Sequence, residues 1–168
     1  MSFLHRSSRL PDDVRAALDL VRGERVLATG RLAEGWAVAT SHRLIVAPAV
    51  GVVVRRDWTD VSTGRLDPES QTLTIEWVDA APPSVLELED ARDPTFPAAF
   101  RQCVDSSVVL SERVTLADRA VVQVALRRDG AGRMFTQVMG PGTVDLTDPA
   151  TARAVDAAEA RVREAAGL

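Results

Sequence analysis

The feature that most constrains this chain is residues 36–58, Trp36-Ala-Val-Ala-Thr-Ser-His-Arg-Leu-Ile-Val-Ala-Pro-Ala-Val-Gly-Val-Val-Val-Arg-Arg-Asp-Trp58. It is dense in β-branched residues, which suit a pleated surface better than a helix. Pro48 and Gly51 interrupt it, so it reads as strand, turn, strand. Ser41-His42 is open to two readings: a tight turn that makes two strands of the first half, or a continuation that makes one bent strand.

The flanking segments extend this pattern. Val14, Ala17, Leu18 and Val21 fall on one helical face after Asp12-Asp13, with Gly23 placed to stop a short amphipathic helix. Arg25–Arg31 alternates as a strand, and Ala33-Glu34-Gly35 turns the chain. Val61–Leu66 and Gln71–Trp77 read as strands joined by the Asp67-Pro68-Glu69-Ser70 loop; Leu73, Ile75 and Trp77 share one face, so that face is buried. Val85–Leu88 adds another strand.

The period then changes. Asp93-Pro94 offers a cap and a first-turn proline, and Phe96, Phe100, Cys103 or Val104, and Ser107 or Val108 form one stripe, predicting a helix over 95–109. A short strand at Arg113–Leu116 follows. Ala120–Arg127 and Arg133–Met139 then form a hairpin across the glycine-rich turn at 129–132, ended by Gly140-Pro-Gly142. Thr147-Asp148-Pro149 caps a last helix carrying Ala152, Val155, Ala158 and Val162 on a narrow stripe, with Glu159 and Arg163 spaced as an ion pair.

Composition excludes several classes. One cysteine, Cys103, rules out an internal disulfide or a Cys-rich zinc site within the chain and fits a reducing cytoplasm. No apolar run reaches membrane-spanning length, and Met1–Leu10 lacks the apolar core of a signal peptide. A net charge of −4 with interspersed signs gives no reason to expect nucleic acid as a partner. All 20 basic residues are arginine, a mark of GC-rich coding rather than of chemistry.

Catalytic motifs are missing: there is no His-x-x-x-His, Cys-x-x-Cys or Gly-x-Ser-x-Gly. His42, beside Arg43 at a turn, reads as a solvated turn residue. Cys103, at a core-facing phase, reads as a small hydrophobe, because an apolar setting raises a thiol pKa and a nucleophile needs the opposite. Glycines 130, 132, 140 and 142 do not form a phosphate-cradling loop. The residues therefore predict no catalytic group, cofactor or metal. Arg55-Arg56 and Arg127-Arg128 are the basic doublets, each at a strand end and read as solvated.

Gly23–Leu27, Thr40–Ile45, Asp57–Val61, Leu73–Trp77 and Phe96 to Val108 together resemble the bacterial pleckstrin-homology-like domains over about residues 23–111. Thr40-x-x-Arg43-Leu44 followed by the Trp58-x-x-Val61 strand carries most of that likeness. The resemblance implies two near-orthogonal antiparallel sheets forming a barrel capped at one end by the Phe96–Phe100 helix. It makes the chain an α+β protein: an N-terminal helix (1–22), a core (23–111), and an extra β-hairpin plus helix packed on the core (112–168).

The resemblance further implies a noncatalytic binding or scaffolding module that recognises a protein partner or itself. Members holding inositol phosphates carry cations between their first two strands. Here Leu32–Trp36 offers none beyond the adjacent Arg31, which weighs against a phosphoinositide or a membrane surface. The expected binding rim is Arg31, Arg43, Arg55 and Arg56. Two rival readings stay open: a small-molecule site or enzyme pocket between core and C-terminal hairpin, and a homo-oligomeric structural unit.

Overall fold

A computed structural model describes residues 10–140 and 144–168. It shows an α+β protein of three antiparallel sheets with three helices among the described residues. Strands β1 (Val26–Leu32), β2 (Gly35–Thr40), β3 (Arg43–Pro48) and β4 (Val54–Asp57) form the first sheet in sequential order. Ser41-His42 is a turn, and Thr40 makes it: its Oγ1 accepts the N–H of His42 at 3.2 Å and of Arg43 at 2.9 Å. Gly35 closes the preceding turn at φ +119°, where a Cβ would overlap the carbonyl of Ala47.

The apolar run through β2 and β3 is explained by burial on both faces. Ala37, Ala39 and Leu44 face the main core, whereas Trp36, Val38 and Ile45 face outward beneath Leu10 and Leu18 of the N-terminal segment. That segment holds a shorter helix than its spacing predicted: α1 is Asp12–Ala17. The chain leaves it at Asp19, which has φ +50°, so Val21 ends up 52% exposed instead of continuing the stripe.

Strands β5 (Val61–Asp67), β6 (Thr72–Trp77) and β7 (Ser84–Glu87) form the second sheet, with Leu73, Ile75 and Trp77 buried on one face as expected. The two sheets meet where Leu32 bridges Leu88, with Ala33 N–H on Glu87 O and Glu89 N–H on Arg31 O, each at 2.9 Å. They do not close into a barrel, because no described strand bridges β4 to β5. Helix α2 (Thr95–Ser107) buries Phe96 and Phe100 against this core, as the aromatic stripe predicted. Two glycines admit those rings: a Cβ at Gly30 would lie 2.8 Å from Phe96 Cγ, and one at Gly64 would overlap Phe100.

The C-terminal part holds the expected hairpin but adds a longer strand to it. Without a linker, α2 runs into β8 (Val108–Thr115), which pairs with β9 (Val121–Arg128) and through it with β10 (Met134–Met139). The third sheet is therefore three-stranded. The short strand expected at Arg113–Leu116 is the end of β8, whose first two residues lie where the helix was expected to continue to residue 109. Helix α3 (Pro149–Ala165) begins at Asp148, whose carboxylate accepts Thr151 N–H at 2.8 Å. Its Val155, Ala158 and Val162 pack on Val124 and Leu126 of β9 in a core of their own. Arg161 of α3 grips Glu112 of β8, with Nη2 at 2.6 Å from Oε1. The Gly140-Pro-Gly142 stop lies largely outside the described residues, as do residues 1–9. No described helix is long and apolar enough to cross a membrane.

Candidate functional site

The expected arginine rim is divided between two faces of the first sheet. Arg43 and Arg55, two apart in pairing on β3 and β4, lie on the outer face with Ile45, and both hold the N-terminal segment. Arg43 binds Glu24 through Nε and Nη2, each at 3.0 Å, and donates to Asp19 O at 2.8 Å. Arg55 caps the end of α1, donating to Ala17 O at 2.7 Å and Leu18 O at 3.3 Å. Arg31 also lies on this face, stacked 5.0 Å over Trp36 and paired with Glu89 at 3.3 Å. Arg56 projects to the opposite face, 4.8 Å over Trp77 and 2.9 Å from Asp79.

Glu24 is the anchor of the outer cluster. Burial alone would raise its carboxyl pKa, but hydrogen bonds from Thr40 Oγ1 at 2.7 Å, Val21 N–H at 3.0 Å and Arg43 outweigh burial and hold it below the ordinary value. This arrangement is an internal clamp, with its cations already satisfied.

The face carrying Arg56 opens onto a groove of about 270 Å³ where α2 does not reach. Leu44, Val46, Val54, Ile75 and Leu86 line it, and Trp77 is oriented there by its Nε1–H on Ser84 Oγ at 3.2 Å. Beside it runs the connection from β3 to β4. From Ile45 to Val54 there is no charged side chain, yet Val50 is 92% and Val52 84% exposed. Val54 and Val85 add half-exposed apolar surface at the same place. The composition of this segment suggested a strand but not that its valines would face water.

A second cleft, of about 530 Å³, lies between α2 and the turn joining β9 to β10, lined by Trp58, Cys103, Ser107, Asp129 and Gly130 among others. His42 packs against that turn: a Cβ at Gly130 would come 2.6 Å from His42 Cβ. Burial pushes the Cys103 thiol pKa up. No described group of three His, Cys, Asp or Glu side chains can hold a metal ion.

Arg127, half of a doublet whose strand-end position predicts solvation, is 1% exposed. Alternation on β9 sends Val124 and Leu126 toward α3 and Arg127 toward the main core. Its Nη2 donates to Trp58 O and Ser107 Oγ, both at 2.8 Å, and its Nε has no partner. Burial lowers its pKa, and the carboxylate of Asp60 acts in the opposite sense. Arg127 therefore pins the third sheet to the 3₁₀ turn at Trp58–Asp60 and to the end of α2. A solvated strand end was expected here, and periodicity carries no signal for an arginine turned inward at a β9 position.

Compared with protein-family models, with curated proteins and with solved structures, the chain matches none.

Proposed function

We propose that the protein is a noncatalytic binding module with a pleckstrin-homology-like core, and that it recognises an apolar segment of a partner protein at the groove beside the β3–β4 connection. The order of elements supports the scaffold: a four-stranded sheet, a three-stranded sheet, then a helix with an aromatic stripe. The observation that carries the function is the exposure of Val50 and Val52 on the connection between Val46 and Val54, two residues that line the groove together with Trp77. Water disfavours such a patch, and a partner that covers it gains the burial. Burying two valines is worth about 3 kcal/mol, roughly a hundredfold in affinity.

The noncatalytic reading rests on Cys103, whose raised thiol pKa disfavours the thiolate, and on His42, which is packed against a turn. The β1–β2 turn is Ala33-Glu34, so no cation is offered where an inositol phosphate would need one. Affinity capture from the source cell with the native chain and with a Val50→Asp, Val52→Asp double variant tests the proposal. Proteins retained by the first and lost by the second identify the partner, and identical captured sets refute the reading.

The cleft beside Cys103 favours a second reading, a small-molecule site between core and third sheet. A metabolite that raises the melting temperature of both the native chain and the double valine variant would support it over the first.

A further inference from the structure

β10 closes one side of the third sheet, and its outer side makes no main-chain hydrogen bond to any described residue. Which groups lie there follows from the ladder. Asp129 N–H donates to Arg133 O at 3.0 Å, and the register then continues Arg127 with Phe135, Ala125 with Gln137, and Gln123 with Met139. Bonded pairs alternate along an antiparallel ladder, so Met134, Thr136 and Val138 direct their N–H and C=O outward.

Open strand edges are usually blunted by charge, proline or shortness. Five of the six edges among the described residues obey this. β4 is four residues long with Arg55, Arg56 and Asp57, and β7 is four residues long with Glu87. β5 carries Arg65 and Asp67, and β8 carries Glu112 and Arg113. β1 carries Arg31 and is met at its end by Leu88. The exception is β10: Met-Phe-Thr-Gln-Val-Met, six residues with no charge, proline or glycine. Helix α3 packs on β8 and β9, leaving Met134, Thr136 and Val138 only partly covered or exposed.

We propose that β10 pairs antiparallel with β10 of a second copy of this chain, joining two third sheets into one continuous sheet about a twofold axis. An antiparallel edge is complementary to itself under that symmetry, so a copy presents a matching row of donors and acceptors. Three outward residues on each strand supply about six main-chain hydrogen bonds. Charge favours the same occupant. The molecule carries −4, which opposes most self-contacts, but this strand has no charge to meet its twin. The Arg133–Asp129 pair at one end, 2.7 Å apart, falls opposite the uncharged Met139-Gly140 end of the copy. This dimer is independent of the proposed partner groove, which lies on β3, β4, β6 and β7.

Sedimentation velocity of the full chain over a concentration series tests it. The native chain is expected to sediment as a concentration-dependent dimer. Thr136→Pro removes only an outward N–H and leaves the ladder to β9 intact, so it is expected to yield monomer with an unchanged circular dichroism spectrum. Thr136→Lys, which sets like charges near the axis, is expected to weaken association at least tenfold and serves if the proline variant misfolds. A native chain that is monomeric at every concentration overturns the proposal, including a monomer that uses β10 only to capture a foreign protein. A dimer unaffected by the folded variants overturns it equally.

Discussion

Replacing Glu24 with Gln removes the charge from the clamp that holds the N-terminal segment while nearly preserving its shape. The carboxylate side chain is fully buried and its partner Arg43 is 18% exposed on its side chain, so the pair is shielded from water on one side. Breaking a fully buried pair costs about 3–5 kcal/mol, because the remaining charge stays desolvated. Arg43 keeps some contact with water and its bond to Asp19 O, so the expected loss is nearer about 2–3 kcal/mol. Urea denaturation at neutral pH measures it.

The sign of the pH dependence follows from the depressed carboxyl pKa of Glu24, which burial opposes and the Thr40, Val21 and Arg43 hydrogen bonds produce. Stability from such a group is fully present above the unfolded-state carboxyl value and is lost as pH falls through the lower folded value. The gap between native and Glu24→Gln proteins should therefore shrink on acidification through that window. Hydrogen exchange should show the loss first at residues 10–24, whose backbone Arg43 and Arg55 hold. A difference below about 0.5 kcal/mol, the scatter of ordinary surface changes, or one that stays constant into acid, would refute the assigned role of the clamp.

Two further outcomes are expected. Phe100→Ala removes a ring that is 3% exposed and sits edge-on to Trp58 at 5.7 Å, so it should cost about 3–5 kcal/mol by urea denaturation; a loss under about 1 kcal/mol would show that α2 is not the plug of this core. The Cys103 thiol, its pKa raised by burial, should react with a disulfide reagent at neutral pH more slowly than free cysteine and reach the free rate only on unfolding, whereas a fast native reaction would revive the nucleophile reading.

Local pattern carried much of this architecture. The alternation of Leu73, Ile75 and Trp77, the turn residues between strands, and the stripe of Phe96 and Phe100 were all legible, because each reflects a choice between one wet and one dry side made within a few residues. The C-terminal sheet was harder to read: Val108 continues the helical stripe of α2 in spacing, yet it becomes the start of β8 where β9 supplies a ladder. Long-range pairing overruled local preference there.

The candidate sites divide in the same way. That Arg31, Arg43, Arg55 and Arg56 sit at strand ends and turns follows from the primary sequence, since punctuation by Ser41-His42 and Gly51 dictates where strands stop. Their use does not follow, because a guanidinium reaches several ångströms and bonds whatever the packed chain brings near. Folding gave Arg43 to Glu24, 19 residues away, and gave Arg127 to the carbonyl of Trp58, 69 residues away. Burial pattern is a property of neighbours in the chain, whereas polar partnership and the exposure of Val50 and Val52 depend on which distant segments arrive and which surfaces they leave uncovered.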